Sequence, residues 1–134
     1  MRKAYQYSGY PMDGKVIARD GYVLMEHDHV SDASNIFQRI RDAAMLMSER
    51  KTPRLLVDAR YYHPMIDDTD RAMIADRVRS VFPPDVRIAV LLQEMATERR
   101  VRPIMETLAG AGIAVQGFRV LSEAETWLQT PGED

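Results

Sequence analysis

The sequence predicts an α/β domain with a mixed, mainly parallel sheet, and two observations lead to this fold class. Two Asp-Gly pairs, Asp13-Gly14 and Asp20-Gly21, mark tight turns, and the residues on either side of the second pair alternate as strands do. Short apolar runs then alternate with longer stretches that carry apolar residues at helical spacing. An initial hairpin followed by alternating helices and strands implies right-handed crossovers within one sheet.

Composition limits the classes of protein to consider. A length of 134 residues is typical of one domain, and a net charge of −2 argues against the basic surface of a protein that binds nucleic acid. The absence of cysteine excludes disulfides, thiolate metal sites and a cysteine nucleophile. No stretch resembles a signal peptide or approaches the ~20 apolar residues of a membrane helix. We therefore expect a cytoplasmic protein with no nucleic-acid or membrane partner.

The N-terminal half is predicted to form a hairpin, a helix and a buried strand. The predicted elements are strands over 15–19 and 22–26, a helix from Ser31-Asp32 to about Arg50, and a strand over 55–58. The helix carries an apolar stripe made of Ile36, Phe37, Ile40, Ala43, Ala44 and Met47. Thr52-Pro53 is predicted to stop the helix, because the residue before a proline disfavours helical backbone.

The C-terminal half is predicted to continue the alternation. The predicted elements are a helix from near Asp68 to before Pro83-Pro84, a strand over 87–92, a helix over 97–109, a strand over 113–120 and a short last helix. The second helix is expected to bury Met73, Ile74, Val78 and Val81. Pro103 either kinks the third helix or starts another. Ser122 and Glu125 are spaced as a capping box for the last helix, in which Trp127 and Leu128 are expected to pack inward.

Three segments make up the predicted domain organisation. Residues 13–130 form the α/β domain, and residues 131–134 a frayed tail. Residues 1–12 form an N-terminal arm or an extra strand. The arm contains Tyr5, Tyr7 and Tyr10, which cannot bury themselves alone, so it could lie on a second subunit and make a homodimer.

The element order resembles that of the STAS-like domain, and in particular of the small bacterial proteins grouped as SpoIIAA-like, which include anti-sigma-factor antagonists. The residues that carry the similarity are Leu56-Val57-Asp58 in the central strand, Ile66-Asp67 before the second helix, Phe118, and the closing run 123–128. The similarity covers about Lys15 to Leu128. It implies a non-catalytic regulatory module that binds a protein partner.

The same resemblance points to a modification site. The family's signature at the start of the second helix is Asp-Ser-Ser-Gly, and its second serine is phosphorylated by a partner kinase. The matching positions here read Asp67-Asp68-Thr69-Asp70, so the resemblance implies phosphorylation of Thr69. The alternative is a helix cap with acidic residues in the first turn, because carboxylates favour helix N-termini.

The segment from Arg60 to Thr69 is the first candidate for a working surface, because partners of open α/β sheets meet the carboxyl ends of the strands. Its candidate binding residues are Arg60, Tyr61, Tyr62, His63, Asp67, Asp68 and Thr69. Three functions fit them: a protein interface, for which tyrosine is suited; a pocket for a small apolar ligand under Tyr61 and Tyr62; and acid/base catalysis by His63 with Asp67.

His27 and His29 form a His-x-His pattern at the end of a predicted strand. Alternation places both imidazoles on one face, where they could bind a metal with Asp58 or His63 as a third ligand. The alternative is a pair of loop residues in contact with water. The sequence contains no Ser-His-Asp elbow, glycine-rich phosphate loop or dinucleotide fingerprint. We therefore expect no cofactor and no enzymatic activity.

Overall fold

A tight turn at Asp20-Gly21 joins the first two strands, and Gly21 supplies the positive φ of 89° that this turn requires. The computed structural model describes residues 14–27 and 30–130. Its strands are β1 (Gly14–Arg19), β2 (Tyr22–His27), β3 (Val30–Ser31), β4 (Arg54–Asp58), β5 (His63–Pro64), β6 (Arg87–Leu91) and β7 (Ala114–Phe118). Its helices are α1 (Ala33–Arg50), α2 (Asp68–Val81), α3 (Met95–Gly110) and α4 (Leu121–Gln129).

Five strands form one sheet in the order β1-β2-β4-β6-β7. β1 is antiparallel to β2, and the other neighbours are parallel, which confirms the predicted mixed sheet. β3 and β5 form a second, two-stranded parallel sheet that was not predicted. Strands of two residues are too short to show an alternating pattern, so the segment containing β5 was predicted as loop.

The sheet separates two apolar layers. Successive side chains of a strand point to opposite faces, so Val23 and Met25 of β2 pack on one side and Leu24 on the other. α1, α2 and α3 cover the first side, and α1 and α3 both contact α2. α4 covers the second side, where Leu128 packs near Leu56. Within the described ranges, no helix combines the length and apolarity needed to cross a bilayer.

α1 has the predicted extent. Its N-cap is Asp32, whose side chain accepts a hydrogen bond from the Asn35 backbone, while the Asn35 side chain accepts one from the Asp32 backbone. The helix ends at Arg50, and its C-cap Lys51 adopts left-handed backbone with φ of 55°. The Lys51 N–H bonds back to carbonyls of the last turn, so the helix has already ended before Thr52-Pro53.

The buried face of α2 is narrower than predicted. Ile74 and Val78 are buried as expected, together with Ala75. Burial of Met73 and Val81 was predicted wrongly, since these side chains are 49% and 42% exposed. Each lies next to a buried position in sequence, and successive helical residues point about 100° apart.

The capping box predicted for α4 was also wrong. The helix begins at Leu121 after Val120, which makes no side-chain cap hydrogen bond, so Ser122 already lies inside the first turn. Glu125 accepts a hydrogen bond from the Tyr22 hydroxyl at 2.7 Å instead. Burial and this carboxylate raise the pKa of Tyr22 to about 12.

The other predictions for the last two helices have clear outcomes. In α4, Leu128 is fully buried and Trp127 is half-buried. α3 runs through Pro103 as one helix.

Candidate functional site

The chain turns sharply where the central strand β4 ends. The Asp58 carboxylate accepts hydrogen bonds from the backbone N–H of Arg60 and, through both oxygens, from the Arg60 guanidinium at 3.0 and 2.8 Å. The N–H of Ala59 donates to the Leu91 carbonyl of β6, and the N–H of Tyr62 donates to the Ala59 carbonyl. These bonds fix the direction of the loop as it leaves the sheet.

The two neighbouring tyrosines point in opposite directions. Tyr62 is 3% exposed, and its ring stacks on His27 of β2 with centroids 4.1 Å apart and planes 18° from parallel. Tyr61 is 58% exposed, and the Arg60 guanidinium lies over its ring at 5.9 Å. One tyrosine therefore anchors the loop in the core while the other faces outward.

His27 is held in the core by Arg39, a buried residue of α1. The Nε of Arg39 donates to Nδ1 of His27 at 2.9 Å, and another guanidinium nitrogen donates to the Ser31 hydroxyl at 2.7 Å. Burial, and secondly the Arg39 charge, hold the pKa of His27 well below its usual value. The imidazole is therefore neutral, with Nδ1 as acceptor and the proton on Nε2.

Two further groups of bonds attach the loop to its neighbours. β5 pairs with β3, with His63 opposite Val30, and the Met65 N–H donates to the Ser31 carbonyl at 2.8 Å. The Thr97 hydroxyl of α3 donates to the Arg60 carbonyl, and Arg100 Nε lies 3.4 Å from the Tyr62 carbonyl. The loop is thus bound to β3, just before α1, on one side and to the first turns of α3 on the other.

The start of α2 is an acidic capping box. The Asp67 side chain accepts a hydrogen bond from the Asp70 backbone at 2.8 Å, and the Asp70 side chain accepts one from the Asp67 backbone at 3.1 Å. Arg71 forms an ion pair with Asp68. Thr69 is exposed in this first turn between Asp68 and Asp70. The cap is therefore Asp67, and the Thr69 hydroxyl has no part in it.

The structure gathers most of the predicted site residues on one edge of the sheet. Arg60, Tyr61, His63, Asp67, Asp68 and Thr69 are exposed there. Tyr62 is the exception, because it belongs to the core. Among the described residues, no hydrogen bond or ion pair joins His63 to Asp67, whose carboxylate caps α2.

His27 is not the water-exposed loop residue that one alternative expected, since only 4% of it is accessible. Its Nδ1 lone pair already accepts the bond from Arg39. His29, the other half of the predicted pair, lies outside the described residues. The described ranges contain no group of three or more histidine, aspartate or glutamate residues arranged to hold a metal.

A cavity of about 70 Å³ lies beneath the loop. Tyr62 and His27 line it together with apolar side chains from the sheet and from α1, α2 and α3. Ligand pockets usually measure at least ~300 Å³, and an engineered cavity that binds benzene measures about 150 Å³. An apolar metabolite would therefore require the core to open.

Sequence reasoning missed the buried Arg39, although its position could have been found. Arg39 lies three residues after Ile36 and four before Ala43, on the same apolar stripe of α1. His27 continues the alternation of Val23 and Met25, which both face the α1 side of the sheet. Two sequence signals therefore indicated this buried pair. Arg39 is a charged residue within the apolar stripe of α1, and His27 is a histidine within the alternating apolar residues of β2.

Solved structures share this architecture. An uncharacterized protein of the DUF3478 family with a SpoIIAA-like fold, from Shewanella loihica PV-4, matches with a TM-score of 0.60 and 16% sequence identity, over 92% of this chain and 99% of that one. An anti-sigma factor antagonist from Mycobacterium paratuberculosis matches with a TM-score of 0.57 and 16% identity, over 87% and 93%. No family model and no curated protein matches the sequence. The chain therefore has a SpoIIAA-like fold, as its element order predicted.

Proposed function

We propose that the protein is a non-catalytic, cytoplasmic regulatory module that binds a protein partner through the loop Arg60–Asp67 and the first turns of α2 and α3. The observation that carries this proposal is a loop anchored by buried side chains that turns apolar side chains outward. The shared fold with an anti-sigma factor antagonist supports a regulatory role.

The outward side of this surface is apolar. Tyr61 and Met65 are each 58% exposed, and Met95 at the start of α3 is 62% exposed. Thr97, two residues after Met95, contacts the Arg60 carbonyl, so the start of α3 lies beside the loop. Tyrosine and methionine are enriched in protein interfaces, where they bury large area.

The loop is also rigid enough to bind without a large entropic cost. The stacking of Tyr62 on His27, the paired Asp58–Arg60 contact and the β3–β5 ladder each restrict it. A surface already held in its binding shape loses less conformational entropy on association. This favours recognition of a folded partner surface over capture of a mobile ligand.

Charges of both signs flank the apolar side chains. Asp67, Asp68 and Asp70 lie at the start of α2, whereas Arg99 and Arg100 lie on α3. A polar rim around an apolar centre is the usual organisation of a specific protein interface. The partner is expected to present apolar side chains with basic groups toward α2 and acidic groups toward α3.

Thr69 is the proposed point of regulation on this surface. A phosphate there would meet the favourable N-terminal dipole of α2 but would sit between Asp68 and Asp70, with Arg71 already paired to Asp68. We expect the added negative charge to strengthen binding, because the partner is expected to present basic groups toward α2. Mass spectrometry of the protein from its host, together with binding by Thr69→Glu and Thr69→Gln, measures this effect.

The test of the interface is affinity capture from the host at native expression level, read by quantitative mass spectrometry. The double variant Tyr61→Ser, Met65→Ser removes the apolar centre without touching the buried anchors. Met45→Ser is the matched control, because Met45 is 59% exposed but lies on α1. We expect a stoichiometric partner with wild type and the control, and at least a tenfold loss with the double variant. Equal capture by all three would refute the proposal.

A further inference from the structure

Among the residues that the structure describes, β7 is an edge strand whose outer side is open. It is the last strand in the sheet order, with β6 as its neighbour within the described residues. The Phe118 carbonyl accepts a hydrogen bond from the Leu92 N–H at 2.7 Å, so the polar groups of Phe118 face the β6 side. The N–H and C=O groups of successive residues point alternately toward the two sides of a strand within the sheet. Those of Val115 and Gly117 therefore point away from β6, toward the open edge.

β7 also lacks the features that protect edge strands from pairing. Its sequence, Ala114-Val115-Gln116-Gly117-Phe118, contains no charged residue and no proline. The opposite edge strand, β1, carries exposed Lys15 and Arg19. Charged side chains on an edge prevent another strand from adding to it, so β1 is protected and β7 is not.

The side chains of β7 complement those of a second, antiparallel copy. With Gln116 opposite its own counterpart, Ala114 lies opposite Phe118 and Val115 lies opposite Gly117. Each pair then joins a large residue to a small one, and the two-fold axis relates them. Gln116 and Ala114 are exposed, so the pairing buries surface that the monomer leaves in water.

The hydrogen bonds fit the same register. Val115 and Gly117 direct their N–H and C=O groups outward. In this arrangement Val115 of one copy faces Gly117 of the second copy, and Gly117 of the first faces Val115 of the second. Such a pair exchanges two hydrogen bonds in an antiparallel ladder. The two symmetric pairs therefore form four bonds, and the Gln116 pair occupies the non-hydrogen-bonded position at the axis.

We infer that β7 is a homodimer interface, in which two chains join their sheets edge to edge around Gln116 into one ten-stranded sheet. This assignment is independent of the proposed partner site and differs from a dimer formed by residues 1–12. The axis runs perpendicular to the sheet, so the two carboxyl edges lie at opposite ends of the dimer. Each dimer therefore offers two separate partner sites.

The test uses the full chain, which has no native cysteine. In the Gln116→Cys variant the two thiols face each other at the axis, with Cα atoms about 4.5 Å apart, within the range for a disulfide. In the Ala114→Cys variant the two sites lie about 13 Å apart along the strands, because four residues separate them. We expect mild oxidation to cross-link the first variant into a dimer and to leave the second monomeric on a non-reducing gel.

Sedimentation of unlabelled protein at high micromolar concentration gives the second readout. We expect a dimer, and at least a tenfold higher dissociation constant for Gln116→Lys, which places like charges opposite each other. Gln38→Lys on α1 makes the same chemical change far from β7 and should leave the constant unchanged. A monomeric wild type, a dimer that tolerates Gln116→Lys, or equal cross-linking of the two cysteine variants would overturn the assignment.

Discussion

A neutral histidine inside the core supports the exposed loop. His27 stacks on Tyr62 and accepts a hydrogen bond from Arg39, so three residues from β2, the loop and α1 meet at one point. Protonation of His27 would remove its acceptor lone pair and place a second cation beside the guanidinium. Protonation should therefore weaken the contacts through which His27 supports the loop.

The pH dependence of stability follows from this arrangement. The unfolded chain binds a proton at His27 below pH ~6.5, whereas the folded chain, with its lowered pKa, does not. Stability therefore falls as the pH is lowered from ~7.5 to ~5, at up to about 1.4 kcal/mol per pH unit. Urea unfolding of wild type and His27→Gln at both pH values measures it. An equal pH dependence in the two proteins would contradict the account.

At the scale of elements, two arginines attach α4 to the sheet. Arg54 and Arg87 are opposite residues of β4 and β6, and they donate to the carbonyls of Leu128 and Trp127 in the last turn of α4. The Arg87 guanidinium also lies 4.1 Å from the centre of the Trp127 ring. The cations thus reach carbonyls at the C-terminal end of α4, where the Trp127 carbonyl also accepts the Thr130 N–H at 3.3 Å.

Replacing Arg87 by methionine should keep the aliphatic packing but lose the charged hydrogen bond and the ring contact. We expect a loss of about 2 kcal/mol in the free energy of unfolding, since a hydrogen bond from a charged group contributes ~1.5–3 kcal/mol. Arg79→Met, at an exposed site in the last turn of α2, should change it by less than ~0.5 kcal/mol. Denaturant midpoints compare the stability losses of the two variants. Similar losses would contradict the proposal that Arg87 anchors α4.

The caps of α2 and α4 give a second element-scale prediction. Asp67→Ala removes the side chain that accepts the Asp70 N–H and should cost about 1 kcal/mol. Ser122→Ala should cost less than ~0.3 kcal/mol, since Ser122 lies inside α4 and caps nothing. Thermal unfolding of both variants checks this, and a larger effect at Ser122 would restore the capping box that the sequence suggested.

These caps show how far the sequence could predict the elements. Asp67 precedes a run of helical spacing, and the helix it begins was predicted within a residue. Ser122 and Glu125 have the spacing of a capping box, but Glu125 bonds Tyr22, which lies 103 residues away in sequence. A local pattern cannot reveal a distant partner that competes for the same side chain. The stacking of Tyr62 on His27 could not be predicted either, because these two residues also lie far apart in sequence.

For the whole molecule, the order of elements along the chain and the mixed, mainly parallel sheet followed from alternation and turn residues, whereas the quality of packing did not. Apart from His27 and Tyr62, the cavity of about 70 Å³ is lined by residues that the sequence correctly marks as apolar, including Val90 of β6. How well side chains from different elements fill the core depends on tertiary contacts, so no sequence pattern could predict this cavity.

Filling the cavity should stabilise the whole domain. Val90→Ile adds one methylene toward the space and should raise the free energy of unfolding by about 0.5–1 kcal/mol. Val23→Ile makes the same change at a fully buried residue that does not line the cavity, and should cost about 1–3 kcal/mol. Equilibrium unfolding in urea gives both values, and destabilisation by both variants would mean that the cavity cannot accept a methylene.

Site-specific photo-crosslinking in cells of the protein's own host tests the partner surface most directly, because it captures a partner of any identity. A photoreactive side chain is placed at position 65 on the loop or at position 45 on α1, two positions where the native methionine is equally exposed. We predict a discrete crosslinked protein from position 65 and none from position 45. A partner captured from position 45 alone, or no product from either, would contradict the proposal that the loop and the first turns of α2 and α3 form the binding surface.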